Sequence, residues 1–478
     1  MQRSSPPRLR RRAAGRADLL CAGAGAVLVA VAFVVPRIRG EHYRDLIYAA
    51  AAPIFGGWLP HVGWGTGPAV AVAVLVVGLG PVAVRRLPWG RLLLVTWVTA
   101  MAWTFSLAMI DGWQRGFAGR LTTWHEYLHE VGGVGDIGVM LRGFSDRILD
   151  FQPDSWTTHT SGHPPGALLV FVWLDRIGLG GGAWAGAACV VVGCSAAVAV
   201  PIALKALGAP DRARAVTPFL ALAPAAIWIG VSADALFAGV TAWAVALLAV
   251  ATRRGTGWPV VALVSGSLFG FGLYLNYGLV LMVIPAAAVL LARGLRPALP
   301  ALIGVALVVA AFTASGFWWL DGYHLVIERY YQGIASVRPY SYWVWGNLAA
   351  TVCAVGLATV AAGHRVARGL GLGRMIREGP ATGNDAGPVK IRRALSVYLE
   401  RWRAVVDPAA LLATAGLAAI VAADLSGLSK AETERIWLPF DMWLLAATAL
   451  LPPRSVRWWL AAQAVAALLL NHLLLTSW

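Results

Sequence analysis

Two acids stand where a carboxylate can do chemistry. Asp111 ends an apolar run in Ala108-Met109-Ile110-Asp111-Gly112-Trp113 and opens the longest polar stretch of the chain. A carboxylate at the mouth of a membrane helix is partly desolvated yet meets polar substrate, which suits a general base; an interface-anchored helix end would also carry it. Asp234, in Ser232-Ala233-Asp234, lies in a very short turn between two apolar runs. A charge in so tight a hairpin points back into the bundle or at a headgroup, or serves as a polar cap.

Histidines and cations follow the same logic. In His159-Thr160-Ser161-Gly162-His163-Pro164-Pro165-Gly166, two histidines precede a Pro-Pro helix start, which stiffens the segment. As donors, His159 and His163 suit a phosphate or a sugar hydroxyl. The polar stretch from Asp424 to Pro439 holds Lys430, Glu432, Glu434 and Arg435. Lys430 and Glu434 are four apart and can pair on a helix, and Arg435 offers the planar fork that binds phosphate. Asn276-Tyr277 falls at the same expected depth as Asp234. A run of tyrosines between 321 and 342 fits either an interface belt or stacking on sugar rings.

His125-Glu126-Tyr127-Leu128-His129 matches the HExxH zinc-peptidase pattern, which needs both histidines on one helix face and the glutamate as base. Glu130 directly after the second histidine and the helix-ending Gly132-Gly133 argue against it. A membrane zinc metallopeptidase is kept as an alternative, and no metal site is assigned.

These residues have to be positioned by membrane helices. Of 478 residues, 59% are hydrophobic and 13% charged, against roughly 25% charged in a soluble domain. Apolar runs of about 16 to 22 residues recur, the length that crosses ~30 Å of hydrocarbon. They predict spans near 19–36, 68–84, 91–110, 183–204, 213–230, 235–252, 258–275, 278–294, 299–317, 344–362, 408–423, 437–452 and 457–475. The expected fold is an all-α polytopic membrane protein with about thirteen transmembrane helices and a large extracytoplasmic loop carrying surface helices. The net charge of +16 sits in Arg-rich segments between the runs, as the positive-inside rule requires, so nucleic acid is not an expected partner. Those segments place the N-terminus in the cytoplasm and the acid-rich loops outside a bacterial-type plasma membrane. The expected organisation is a basic cytoplasmic tail (1–18), a transmembrane module (19–362) with outer loop 111–164, a basic cytoplasmic loop (363–407) and a C-terminal transmembrane module (408–478). In the outer loop, 122–131 and 138–149 read as short helices, and 167–174 as a helix that does not span. The four cysteines form no CxxC pair and read as packing residues.

With Asp111 opening the loop, His163-Pro164-Pro165 closing it and Asp234 in its hairpin, the chain resembles the GT-C superfamily of integral-membrane glycosyltransferases, over roughly residues 91–294. The closest likeness is to the polyprenyl-phosphate-sugar-dependent branch of actinobacterial cell-envelope synthesis. The resemblance implies a sugar donor on a polyprenyl phosphate, a glycan or glycolipid acceptor, and inversion at the anomeric carbon. Asp111 would be the base and Asp234 would position the acceptor. His163, Arg435 and Lys430 would bind the donor phosphate. His159, Glu126, Asn276, Tyr277 and Glu432 are the remaining substrate-binding candidates. No cofactor is required, although a divalent metal is compatible with such chemistry, and membrane lipids are partners. The family's acidic loop follows its first span, whereas two spans precede Asp111 here, so Glu41 and Asp45 in the first outer loop are the alternatives to Asp111. A transporter or flippase of a lipid-linked or polar substrate is the competing reading; it predicts an inverted repeat, and none is visible.

Overall fold

The computed structural model describes residues 7–253, 255–373, 375 and 388–477. Residues 1–6 of the basic tail and 376–387 of the basic loop lie outside the described residues. The chain is an all-α polytopic membrane protein. Eight described helices are long and apolar enough to cross a bilayer: Gly15–Ile38, Thr66–Arg86, Trp89–Ala108, Gly182–Ala206, Ala233–Ala251, Trp258–Leu275, Tyr340–Ala361 and Pro408–Leu425. A ninth span arises if the pair Ala298–Ala314 and Trp319–Gln332, bent by 75°, is taken as one.

The other apolar runs fold differently, for local reasons. The run 213–230 breaks into Pro210–Ala215, Thr217–Ala221 and Ala226–Ile229. Pro218 and Pro224 supply no N–H to a helical ladder, and the pieces Thr217–Ala221 and Ala226–Ile229 survive because every residue in them is buried. The run 437–452 is a short helix, Leu438–Leu444, tightened into a 3-10 turn over Leu445–Leu450. The run 278–294 likewise starts as 3-10 (Tyr277–Met282) before Val283–Arg293. Val456–Leu473 is one continuous helix whose Arg457, Gln463, Asn471 and His472 lower its hydropathy below that of the eight.

Close helix contacts rest on small residues. A Cβ at Gly266 would fall 1.8 Å from the Ala301 carbonyl oxygen, and one at Gly304 would fall 2.2 Å from that of Leu263. These reciprocal glycines let Trp258–Leu275 and Ala298–Ala314 pack backbone to backbone, as bilayer helices do where no hydrophobic force drives them together.

The two ends of the bundle differ chemically. At one end Arg214 donates to the Val84 and Leu87 carbonyls (2.7 and 2.6 Å), Arg403 to Leu291 (2.7 Å), and Arg212 pairs with Asp407 (3.0 Å). Arg365 pairs with Asp18 at 2.8 Å. The basic segments therefore gather together, and the C-terminal helices share the main core with the rest. The opposite end is polar and acid-rich. An antiparallel ribbon there joins Gly56–Trp58 to Leu474–Thr476. The outer-loop helices are shorter than the sequence predicts. Leu128–Val131 forms from the first; the second gives Ile137–Arg142, where the Asp136 side chain caps the Val139 N–H, and a 3-10 turn over Ser145–Arg147. Pro165–Arg176 forms with Pro at its first turn and is too short to span.

Candidate functional site

Arg435 is the hub of the polar end. It sits in the one-turn helix Thr433–Ile436, reached through Ala431 and Glu432, both left-handed (φ 73° and 62°). Non-glycine residues there cost on the order of 1–3 kcal/mol each and persist where the surroundings hold them. Here Arg338 donates to the Lys430 carbonyl (2.8 Å), the Asn347 amide to the Ser429 carbonyl (2.7 Å), and the Lys430 N–H to the Tyr330 hydroxyl (3.0 Å).

The Arg435 guanidinium bonds Asp234 at 2.6 Å and Glu432 at 2.7 Å, and lies 3.2 Å from His159 Nε2. His159 Nδ1 is 2.9 Å from Glu126. With Nε2 facing a guanidinium, which only donates, the ring proton belongs on Nδ1, pointing at Glu126. All five residues are buried or nearly so, and they come from four separate segments. With Arg338 3.6 Å from Glu432, two guanidiniums face three carboxylates. Burial works against the Glu432 carboxylate, but Arg435 and Arg338 outweigh it and hold its pKa below the usual range. Asp234, Glu432 and Glu126 in turn overcome the burial of Arg435 and raise its pKa. One oxygen each of Asp234 and Glu126 is buried without a hydrogen-bond partner.

The remaining candidates are placed as follows. His163 Nδ1 lies 2.8 Å from both the His159 carbonyl and the Tyr127 hydroxyl. Burial pushes its pKa down to about 4, so the ring is neutral at physiological pH; its one proton lies on Nδ1 toward the His159 carbonyl, which leaves Nε2 an acceptor, unable to donate to a phosphate as expected. Lys430 is turned away from the hub, with its ammonium on the Ala335 carbonyl at 2.9 Å. Asn276 caps the turn after its own helix through Gly278, and Tyr277 packs on Trp319 and Tyr323, so neither joins the cluster. Asp111 anchors a second, separate network: His61 at 2.7 Å, Arg120 at 3.0 Å and Arg115 at 3.5 Å. Glu41 and Asp45 line another cavity of about 470 Å³ with Arg37 and Arg44.

The HExxH arrangement does not form. His125 and Glu126 lie in turns, and only His129 is helical. Glu126 is bound to His159, and the Trp124 ring packs against both His125 and His129. The Gly132-Gly133 pair leaves too short a helix to present both histidines on one face. Among the described residues, no three His, Cys, Asp or Glu side chains are placed to share a metal ion.

Sequence reasoning missed one buried acid beside the hub, Asp441, and expected another, Glu434, to pair with Lys430, whose ammonium lies on the Ala335 carbonyl instead. Glu434 accepts the Phe55 N–H at 2.8 Å, and burial raises its carboxyl to about 7. Asp441 is fully buried with neither oxygen bonded, inside Leu438–Leu450. An acid within an apolar run was the available signal.

No family model matches the chain, and no curated protein matches it. Among solved structures it is similar to the archaeal oligosaccharyltransferase AglB from Archaeoglobus fulgidus, determined in complex with an inhibitory peptide and a dolichol-phosphate. The two are 13% identical with a TM-score of 0.37, over 79% of this chain and 50% of that one. The chain thus spans about half the length of that protein, and a likeness so slight assigns no activity.

Proposed function

We propose that the protein is a membrane glycosyltransferase of GT-C type, moving a sugar from a polyprenyl-phosphate donor to a cell-envelope glycan or glycolipid on the outer face of the plasma membrane. The observation that carries this reading is the Arg435 cluster with its two unpartnered carboxylate oxygens, on Asp234 and Glu126. Buried acceptors beside a rigid guanidinium suit a ligand with hydroxyls and one phosphate. In this reading, sugar hydroxyls donate to Asp234 and Glu126, and the donor phosphate exchanges with Glu432 on Arg435. The exchange requires the 426–432 loop to shift, and the left-handed pair Ala431-Glu432 marks where it gives. Arg435 then stabilises charge on the departing phosphate. Asp111 serves the acceptor from its own network, in which Arg120 and His61 fix its orientation. The test is donor kinetics on protein in nanodiscs. Glu432→Gln should lower the apparent KM for the lipid donor by removing the competing carboxylate, and Arg435→Lys should raise it. An unchanged donor KM in both variants contradicts the reading.

One observation favours a transporter instead: Asp441, buried and unbonded within the bundle, is placed as a proton carrier would be. Proton-coupled solute flux in proteoliposomes, lost in Asp441→Asn, would establish that reading.

A further inference from the structure

A cavity of about 490 Å³ opens at the polar end, between the Gly56–Trp58/Leu474–Thr476 ribbon and residues 114–123. Its size fits one or two sugar rings. Its walls include Arg115, Arg120, Gln114, Thr122, Thr476 and Ser477. Among the described residues, no aromatic ring and only one large aliphatic side chain, Leu475, line it. The lining offers hydroxyls, an amide and two guanidiniums, the groups that bind polyols and oxyanions.

The charge is unbalanced toward an anion. Arg115 and Arg120 share one carboxylate, Asp111. Arg115 holds it only at 3.5 Å and is half exposed, free to turn to a ligand. Arg120 is buried and fixed: Nη1 donates to the Thr476 carbonyl at 2.8 Å and Nη2 to Asp111, while Nε is buried without a partner. The ribbon side of the cavity is bare. A Cβ added to Gly57 would meet no heavy atom within 4 Å, so the backbone lies open to whatever occupies the space.

We infer that this cavity binds a sugar unit carrying one oxyanion, a carboxylate or a phosphate, and that it holds the acceptor beside Asp111. The acceptor role rests on the proposed function; the binding itself does not. The acceptor would then be an acidic glycan, with Arg115 on its charge and the threonine and serine hydroxyls on its ring.

The test uses the full chain in lipid nanodiscs and saturation-transfer NMR with four probes: glucose, glucuronate, glucose 1-phosphate and inorganic phosphate. At least one charged sugar should bind about tenfold more tightly than glucose, a difference of ~1.4 kcal/mol, and more tightly than phosphate alone. Whichever charged sugar binds identifies the source of the oxyanion. Gly57→Leu fills the cavity without a clash and should abolish binding at unchanged melting temperature. Arg115→Gln should remove the preference for the charged sugar. Equal binding of charged and neutral sugars, phosphate binding as tightly as the better-bound charged sugar, or wild-type binding in Gly57→Leu overturns the site. If Gly57→Leu loses binding but still transfers sugar, the acceptor role falls. If it loses binding and the wild type transfers nothing, the site stands and the transferase reading falls.

Discussion

Glu434→Gln should stabilise the protein at neutral pH and leave it unchanged in acid. Glu434 is fully buried, and burial lifts its carboxyl from 4.5 to about 7. Between those values the unfolded chain gives up a proton that the folded chain keeps. The contribution of Glu434 is thus fully present below pH ~4.5 and is lost as the pH rises through 7. A shift of that size amounts to roughly 3 kcal/mol across the window. Glutamine cannot ionise but keeps an oxygen for the Phe55 N–H. His163 works in the opposite sense, because burial lowers it from 6.5 to about 4. Its contribution is present above pH ~6.5 and is lost as the pH falls through 4. From about 4.5 to 6.5 the two slopes oppose, each near 1.4 kcal/mol per pH unit. The wild type should therefore show little slope from these two groups, while Glu434→Gln should lose stability steeply on acidification. The assay is equilibrium unfolding in detergent micelles from pH 4 to 8, read as the difference between the two profiles, which cancels every other titrating group. Parallel profiles would refute the reasoning.

Four further outcomes follow from the packing and placement of other residues. Arg435→Gln strands Asp234 and Glu432 in the interior and should cost about 3–5 kcal/mol, and the Arg435→Gln/Glu432→Gln double variant should cost less than the sum by about 0.5–3 kcal/mol, measured by unfolding cycles. Gly266→Val forces apart the helices that meet at Ala301 and should cost at least about 1–3 kcal/mol in the same assay. His129→Ala should leave sugar transfer near wild type, since His129 lies outside both the Arg435 and the Asp111 networks; a peptidase would lose all activity. Cysteine at exposed Ser426 should react with an impermeant maleimide in intact cells, and cysteine at exposed Arg296 only after lysis; the reverse pattern would invert the topology.

Hydropathy alone exposes the membrane bundle, because apolar runs long enough to span announce themselves. It overstates the number of regular spans wherever Pro218 or Pro224 lies inside an apolar run, since burial keeps such segments in the core after the helix has broken. Residue type singles out Asp234, Arg435, His159, Glu126 and Glu432. Their meeting is a tertiary fact, set by the 426–432 loop folding back under Arg338 and Asn347, and no spacing along the chain encodes it. The same holds for Asp111, whose partners His61 and Arg120 lie on either side of it in sequence. Glu126 shows the opposite hazard: its place in HExxH suggests a metal base, whereas the turn over residues 123–127 gives it to His159.

Sugar transfer itself tests the central claim most directly. Purified protein in nanodiscs would be given radiolabelled polyprenyl-phosphate sugars and an envelope glycolipid extract. The account predicts label in the extract with the wild type, none with Asp234→Asn or Asp111→Asn, and folded protein in all three samples. Label transferred equally by the wild type and both variants would contradict it.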